Sequence, residues 1–183
     1  LILERLGFEN FKSNDATIVN SRTKRIRDSF PKKKRFALIT GKTNNLRNIL
    51  KVFNSPSNLD GEYIQILIAS KLARDGINIE NVVRGYIMSA GWHESGMHQA
   101  LSRFIRATSH ENLKNRNLLE LENEGKSTKN YRVNVDIYRM AAMKPYEKIE
   151  DSETHSVDLK NYLAAEEKDI KIKRRFRYMK RVS

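Results

Sequence analysis

Three short apolar runs and two segments of helical periodicity, one after the first run and one after the third, constrain this chain more than any other feature. "FALIT" (36–40) stops at Gly41. "YIQILIAS" (63–70) is rich in β-branched residues, and "VRGYIMSA" (83–90) is a third run of the same kind. Their length and composition predict strands. After the first run, "NNLRNILKVFN" (44–54) carries Leu46, Ile49, Leu50 and Phe53 at helical spacing, and after the third, "ESGMHQALSRFIRA" (94–107) predicts a second helix. Strands alternating with helices predict an α/β fold, a parallel sheet flanked by helices. In such sheets ligands sit at the carboxyl ends of the strands. Thr40, Gly41, Ser70, Ser89 and Ala90 would stand there.

The opening "LILERLGFENF" reads as a helix already under way and ending near Gly7, as a fragment of something longer would. "SPSNLDG" (55–61) and "DGINIENV" (75–82) are turns by composition. After residue 110 the pattern changes: a short helix and polar loop over "ENLKNRNLLELENEGKSTKN", an alternating strand at 131–141, an acidic loop, then a long helix from Ser156. Its last 14 residues hold seven Lys or Arg and no acid. No internal repeat is present.

The charge balance bears on partners. With 35 Lys and Arg against 22 Asp and Glu, the net charge is +13, which favours a polyanion. No apolar window of about 18 residues exists to span a membrane, and no signal peptide is visible. Cys is absent, so there is no disulfide frame and no thiolate metal site. These features fit an intracellular setting.

Several motifs read more plainly than they first look. "GKT" (41–43) would need a Gly five residues before Gly41 to make a phosphate loop, and Phe36 stands there, so the glycine cradle is missing. "PKKKR" (31–35) precedes a buried strand and reads as a basic sheet edge touching phosphates or water. The basic C-terminal run is either a solvated helix end or a surface for nucleic acid or a partner. His93 and His98 lack companions at metal-ligand spacing, and Asp136, Glu166 and Glu167 read as structural. No metal site is expected. Read as a helix, "QALSRFIRATSH" (99–110) places Gln99, Arg103 and Arg106 on one face, with Leu101, Phe104 and Ile105 toward a core.

The order of these pieces resembles the second RecA-like lobe of superfamily 2 helicases over residues ~35–110. The residues that carry the resemblance are Gly41, Arg47, Phe53-Asn54, Ser70, Gly76-Ile77-Asn78, Trp92 and Gln99 to Arg106. "SKLARDGINIENV", "QALSRFIRATSH" and "YLAAEEKDIKIKRRFRYMK" bring it nearest to the helicase-like ATPases and early transcription factors of large cytoplasmic DNA viruses, the poxvirus type among them.

The resemblance implies one half of a nucleic-acid-dependent ATP hydrolase, a helicase or translocase. Arg106 would be the arginine finger, Arg103 a second contact to the γ-phosphate, and Gln99 a positioning group. Gly76 and Asn78 would lie near phosphates and ribose. Thr40, Gly41, Lys42, Ser70 and Trp92 would contact nucleic acid. The partners implied are DNA or RNA, the N-terminal RecA-like lobe of the same protein, and a viral RNA polymerase, with no membrane. That missing lobe would hold ATP and Mg²⁺, so the isolated lobe would be inactive. A viral setting implies virion and host cytoplasm. The lobe would span 1–125, without its usual first strand, and a C-terminal extension 126–183. The alternative is a helicase-like scaffold that binds nucleic acid or polymerase without hydrolysis, for which Ser102, standing where the family has Gly, leaves room.

Overall fold

The structure is a computed structural model. It describes every residue except Leu1, 71–76, Ala90, 92–93, 103–104, Ala107, 146–149, 151–154 and Ser183; inside helices it leaves out the side chains of Ala100 and 177–182.

The chain forms two compact units, residues 1–82 with 103–134, and residues 83–102 with 135–183. This division differs from the expected 1–125 and 126–183. Strand pairing is the reason, as the second unit shows.

The first unit begins with α1 (Ile2–Arg5), which ends where the sequence places its stop. Gly7 takes φ +83°, its N–H donates to the Glu4 carbonyl, and the Phe8 N–H donates to that of Leu3. This left-handed cap satisfies carbonyls that the helix end would leave bare. β1 (Glu9–Asn10), β2 (Arg35–Ile39) and β3 (Ile66–Ala69) then form a parallel sheet in the order β1-β2-β3. β1 is a strand that the sequence pattern did not mark.

β2 is central and buried along nearly its whole length, which is why "FALI" is uniformly apolar. α2 (Leu46–Phe53) buries Ile49 and Val52, with Leu46, Leu50 and Phe53 partly buried. Val52 was not among the apolar positions read from the sequence. These residues pack with Phe11, Ile18, Val19, Ile26, Tyr63, Ile64, Ile77 and Ile79 into one core.

β3 starts three residues later than its apolar run. The cause is Asn58, in the turn Pro56–Asn58. Its buried side chain accepts from the Tyr63 and Ile64 N–H groups at 3.0 Å each and donates to the Phe53 and Ile64 carbonyls at 3.1 and 3.0 Å. Those amides are therefore spoken for before the ladder begins. α3 follows in the second unit, and α4 (Glu111–Asn123) belongs to the first. Asn81 and Val82 anchor its start: the Asn81 N–H donates to Ser109, Asn81 Oδ1 accepts from the Leu113 N–H, and His110 Nε2 lies 2.9 Å from the Val82 carbonyl.

In the second unit β4 (Arg84–Ile87) pairs in parallel with β5 (Asp136–Arg139), Tyr86 opposite Tyr138 with the rings stacked at 5.0 Å. The sequence suggested that the third apolar run continues the sheet of β2 and β3. It pairs instead with a strand some fifty residues on, so 135–183 fold with 83–102.

α3 (Glu94–Leu101) packs against α5 (Val157–Val182), Met97 and Ala165 being buried. Ser156 caps α5, its Oγ accepting from the Leu159 N–H at 3.2 Å. The Glu94 carboxylate, 8% exposed, pairs with Arg139. Among the described residues no helix is long and apolar enough to cross a membrane.

Candidate nucleic-acid and nucleotide interface

β2 and β3 run in register to Ile39 opposite Ala69, and the Ser70 N–H donates to the Ile39 carbonyl at 2.9 Å. Thr40 and Ser70 therefore sit one residue past that last pair, both exposed, on the carboxyl edge. Thr43 holds the turn beyond β2. Its Oγ1 accepts from the Thr40 N–H at 2.8 Å and donates to the Leu38 carbonyl at 3.3 Å, while its N–H donates to the Thr40 carbonyl at 3.1 Å. The turn leaves Gly41 and Lys42 exposed. The fold thus brings together four expected nucleic-acid contacts: Thr40, Gly41, Lys42 and Ser70. Trp92, the fifth, lies outside the described residues, as do Gly76 and Arg103.

A cleft of about 300 Å³ opens beside this turn, lined by Lys12, Asn14, Lys42, Thr43, Asn44 and Asn45 among others. Sequence reading missed Lys12 and Asn14 because β1 was not recognised. The signal was available in Gly7, a helix stop, followed by the apolar pair Phe8 and Phe11. Two ammonium groups and several amides can bind phosphate oxygens without reading bases.

The loop after β3 is tied to α2. Asn54 Nδ2 donates to the Asn78 carbonyl at 2.9 Å, and its Oδ1 accepts from the Glu80 N–H at 3.0 Å. Exposed Asn78 donates its own Nδ2 to Glu80 Oε1 at 2.8 Å. Phe53-Asn54 and Asn78, separate pieces of the sequence pattern, are thereby one structural piece.

The expected face of Gln99, Arg103 and Arg106 does not form as a continuous helix. α3 ends at Leu101, and Ile105 and Arg106 are exposed and non-helical. Ser102 marks the end: its N–H still donates to His98, but its Oγ turns back to the Gln99 carbonyl at 2.8 Å. A hydroxyl that bonds backward competes with helix propagation. Ile105, read from the sequence as facing a core, is 45% exposed. Gln99 is exposed on α3; Arg106 is exposed, with its carbonyl accepting from Ser109.

The basic run 31–35 is largely neutralised, and it lies at the opposite, amino end of β2. Lys32 pairs with Glu62 at 2.8 Å and Lys33 with Glu9 at 2.7 Å. Arg35 is buried, its guanidinium 4.7 Å above the Phe30 ring and bonded to the Pro31 carbonyl. Burial lowers its pKa, opposed by the charge of Glu9. Among the described residues no group of three or more His, Asp or Glu could hold a metal ion.

A family model, the helicase conserved C-terminal domain, matches residues 2–108. A putative helicase (087L) of invertebrate iridescent virus 3 is 32% identical over 150 residues, covering 80% of this chain and 14% of the relative. A putative helicase (009L) of frog virus 3 is 37% identical over 83 residues, 45% of this chain and 9% of the relative. A termination factor NPH-I homolog of African swine fever virus is 36% identical over 81 residues, 43% of this chain and 12% of the relative. The chain thus spans a small part of the length of these relatives. No solved structure matches.

Proposed function

Because the chain belongs to the helicase conserved C-terminal domain family, whose fold is RecA-like, we propose that it is the second lobe of a nucleic-acid-dependent ATP hydrolase that works in viral early transcription. Its partner in catalysis is an N-terminal RecA-like lobe of the same protein, which grips ATP and Mg²⁺. DNA or RNA is the track, and a viral RNA polymerase is the assembly it serves, in the virion and the host cytoplasm.

Arg106 is the arginine finger in this reading. Phosphoryl transfer spreads charge over the γ-phosphate oxygens, and a guanidinium stabilises that charge bidentately. Arg103 makes a second contact to the γ-phosphate, and Gln99 positions one of these groups or the attacking water. Asn78, with Gly76, lies near phosphates and ribose. Thr40, Gly41, Lys42 and Ser70 hold one nucleic-acid strand by its backbone, with Trp92 as a further contact. The observation that carries the reading is the convergence of Thr40, Lys42 and Ser70 on the carboxyl edge of β2 and β3, where open parallel sheets bind ligands.

The end of α3 at Leu101 favours a second reading, a scaffold that binds nucleic acid or polymerase without hydrolysis. One experiment separates the two. In the full-length protein, Arg106→Ala should lower ATP turnover by on the order of 10³ and leave nucleic-acid binding within twofold. Unchanged turnover rejects the finger, and no turnover in the parent protein selects the scaffold.

A further inference from the structure

α5 has two halves. From Val157 to Asp169 it carries a buried stripe at helical spacing: Asn161, Tyr162, Lys168 and Asp169 are half-buried and Ala165 fully so. From Ile170 to Phe176 every residue is exposed. The charge changes at the same point. Asp158, Glu166, Glu167 and Asp169 precede it, and no acid follows to the end of the chain.

The acids of the first half reach two cations of the second. Lys171 pairs with Glu167 and Lys173 with Asp169, each at 2.6 Å. Arg174 and Arg175 make no ion pair among the described residues. Lys171, Arg174 and Arg175 stand at i, i+3 and i+4, on one face of the helix.

Glu167 offsets part of the charge of Lys171, but no acid stands three or four residues before Arg174 or Arg175, and like charges at this spacing disfavour a helix in isolation. The helix dipole does not account for them. It rewards cations only within the last turn, and α5 runs on to Val182, about two turns past Arg175. A row of phosphates does account for them, since it would remove the repulsion and accept each guanidinium bidentately.

We propose that the exposed half of α5, through Lys171, Arg174 and Arg175, binds the phosphate backbone of a nucleic acid, as a second contact besides the carboxyl edge of β2 and β3. The choice of nucleic acid among polyanions rests on the family reading above; the surface itself does not.

The test uses the 183-residue chain with a fluorescent duplex and a fluorescent single strand, titrated over a range of salt. The triple variant Lys171→Ala/Arg174→Ala/Arg175→Ala changes exposed positions, and circular dichroism of the free variant checks that α5 persists. Affinity should fall at least tenfold at low salt. The slope of log K against log salt should shrink by about 2–3 on duplex, at about 0.9 per phosphate contact. Unchanged affinity and slope overturn the proposal. So does loss of binding to phosphatidylserine vesicles with both oligonucleotides still bound. Lys42→Ala, measured alongside, reports on the sheet edge alone. Loss in the triple variant with no loss in Lys42→Ala supports α5 and rejects the edge; the reverse pattern rejects α5 and keeps the edge.

Discussion

The Asn54 side chain is clamped to Asn78: its amide donates to the Asn78 carbonyl at 2.9 Å, and its oxygen takes the N–H of Glu80, two residues on. Two hydrogen bonds from one side chain thus hold the loop after β3 against the end of α2. Asn54→Ala removes both, at about 1 kcal/mol each at most, and the melting temperature should fall by about 2–6 °C. Asn54→Asp keeps the acceptor, loses the donor and faces a carbonyl with a carboxylate, so it should not restore the parent value. Thermal denaturation measures both. Hydrogen exchange at the Glu80 amide should speed up in Asn54→Ala, and an unchanged rate would contradict the clamp.

Asn58 is a heavier case. Its side chain is buried and meets all four of its hydrogen-bonding opportunities on backbone groups. Asn58→Leu strands those groups without water. A loss of about 3 kcal/mol or more is expected in chemical denaturation, since each buried unsatisfied group costs about 1–3 kcal/mol. A loss under about 1 kcal/mol would mean that water reaches the turn.

The second unit depends on Glu94 and Arg139. Glu94 Oε1 meets Arg139, and Glu94 Oε2 is buried without a partner among the described residues. Arg139→Ala leaves a buried carboxylate with only the exposed His98 imidazole, 3.7 Å away, beside it. Breaking a fully buried pair costs about 3–5 kcal/mol; Arg139 is 42% exposed, so about 2 kcal/mol is expected here. Glu94→Gln added to Arg139→Ala should recover more than half of the loss. A double-mutant cycle with no coupling would show that the pair does not brace α3.

Acid should destabilise the first unit. The Lys33 ammonium bonded to Glu9 holds its carboxyl below the ordinary value of 4.5, and the Thr17 hydroxyl and N–H do the same for Asp15 from 3.8. A pKa depressed in the folded chain adds stability that is present above the unfolded value and lost as pH falls through the folded one. Stability should therefore be flat near neutrality and decline below about 4.5. Lys33→Ala should flatten that decline in denaturation curves taken across the acid range. An equal decline in parent and variant would exclude the Glu9 contribution.

The alternation of apolar runs and helical periods was enough to read the α/β class, β2, α2, α4 and α5 from the chain itself: β2 is an unbroken apolar run buried along nearly its whole length, and α2 carries its apolar residues at helical spacing. The motif order was enough for the family. The cleft beside Lys42 was half legible: Lys42 stands in the motif, whereas Lys12 joins it only because a two-residue strand brings it alongside.

Local sequence determined where strands and helices begin to form and which residue types crowd the carboxyl edge. Tertiary structure alone decided that β4 takes β5 as its neighbour and that β1 brings Lys12 beside Lys42, whereas the delay of β3 by Asn58 and the backward bond of Ser102 at the end of α3 are local contacts that periodicity does not display. Each is a choice of partner for a backbone hydrogen bond, made within a few residues at Asn58 and Ser102 and across some fifty residues at β4 and β5. Periodicity records which face is buried but not which partner wins the bond.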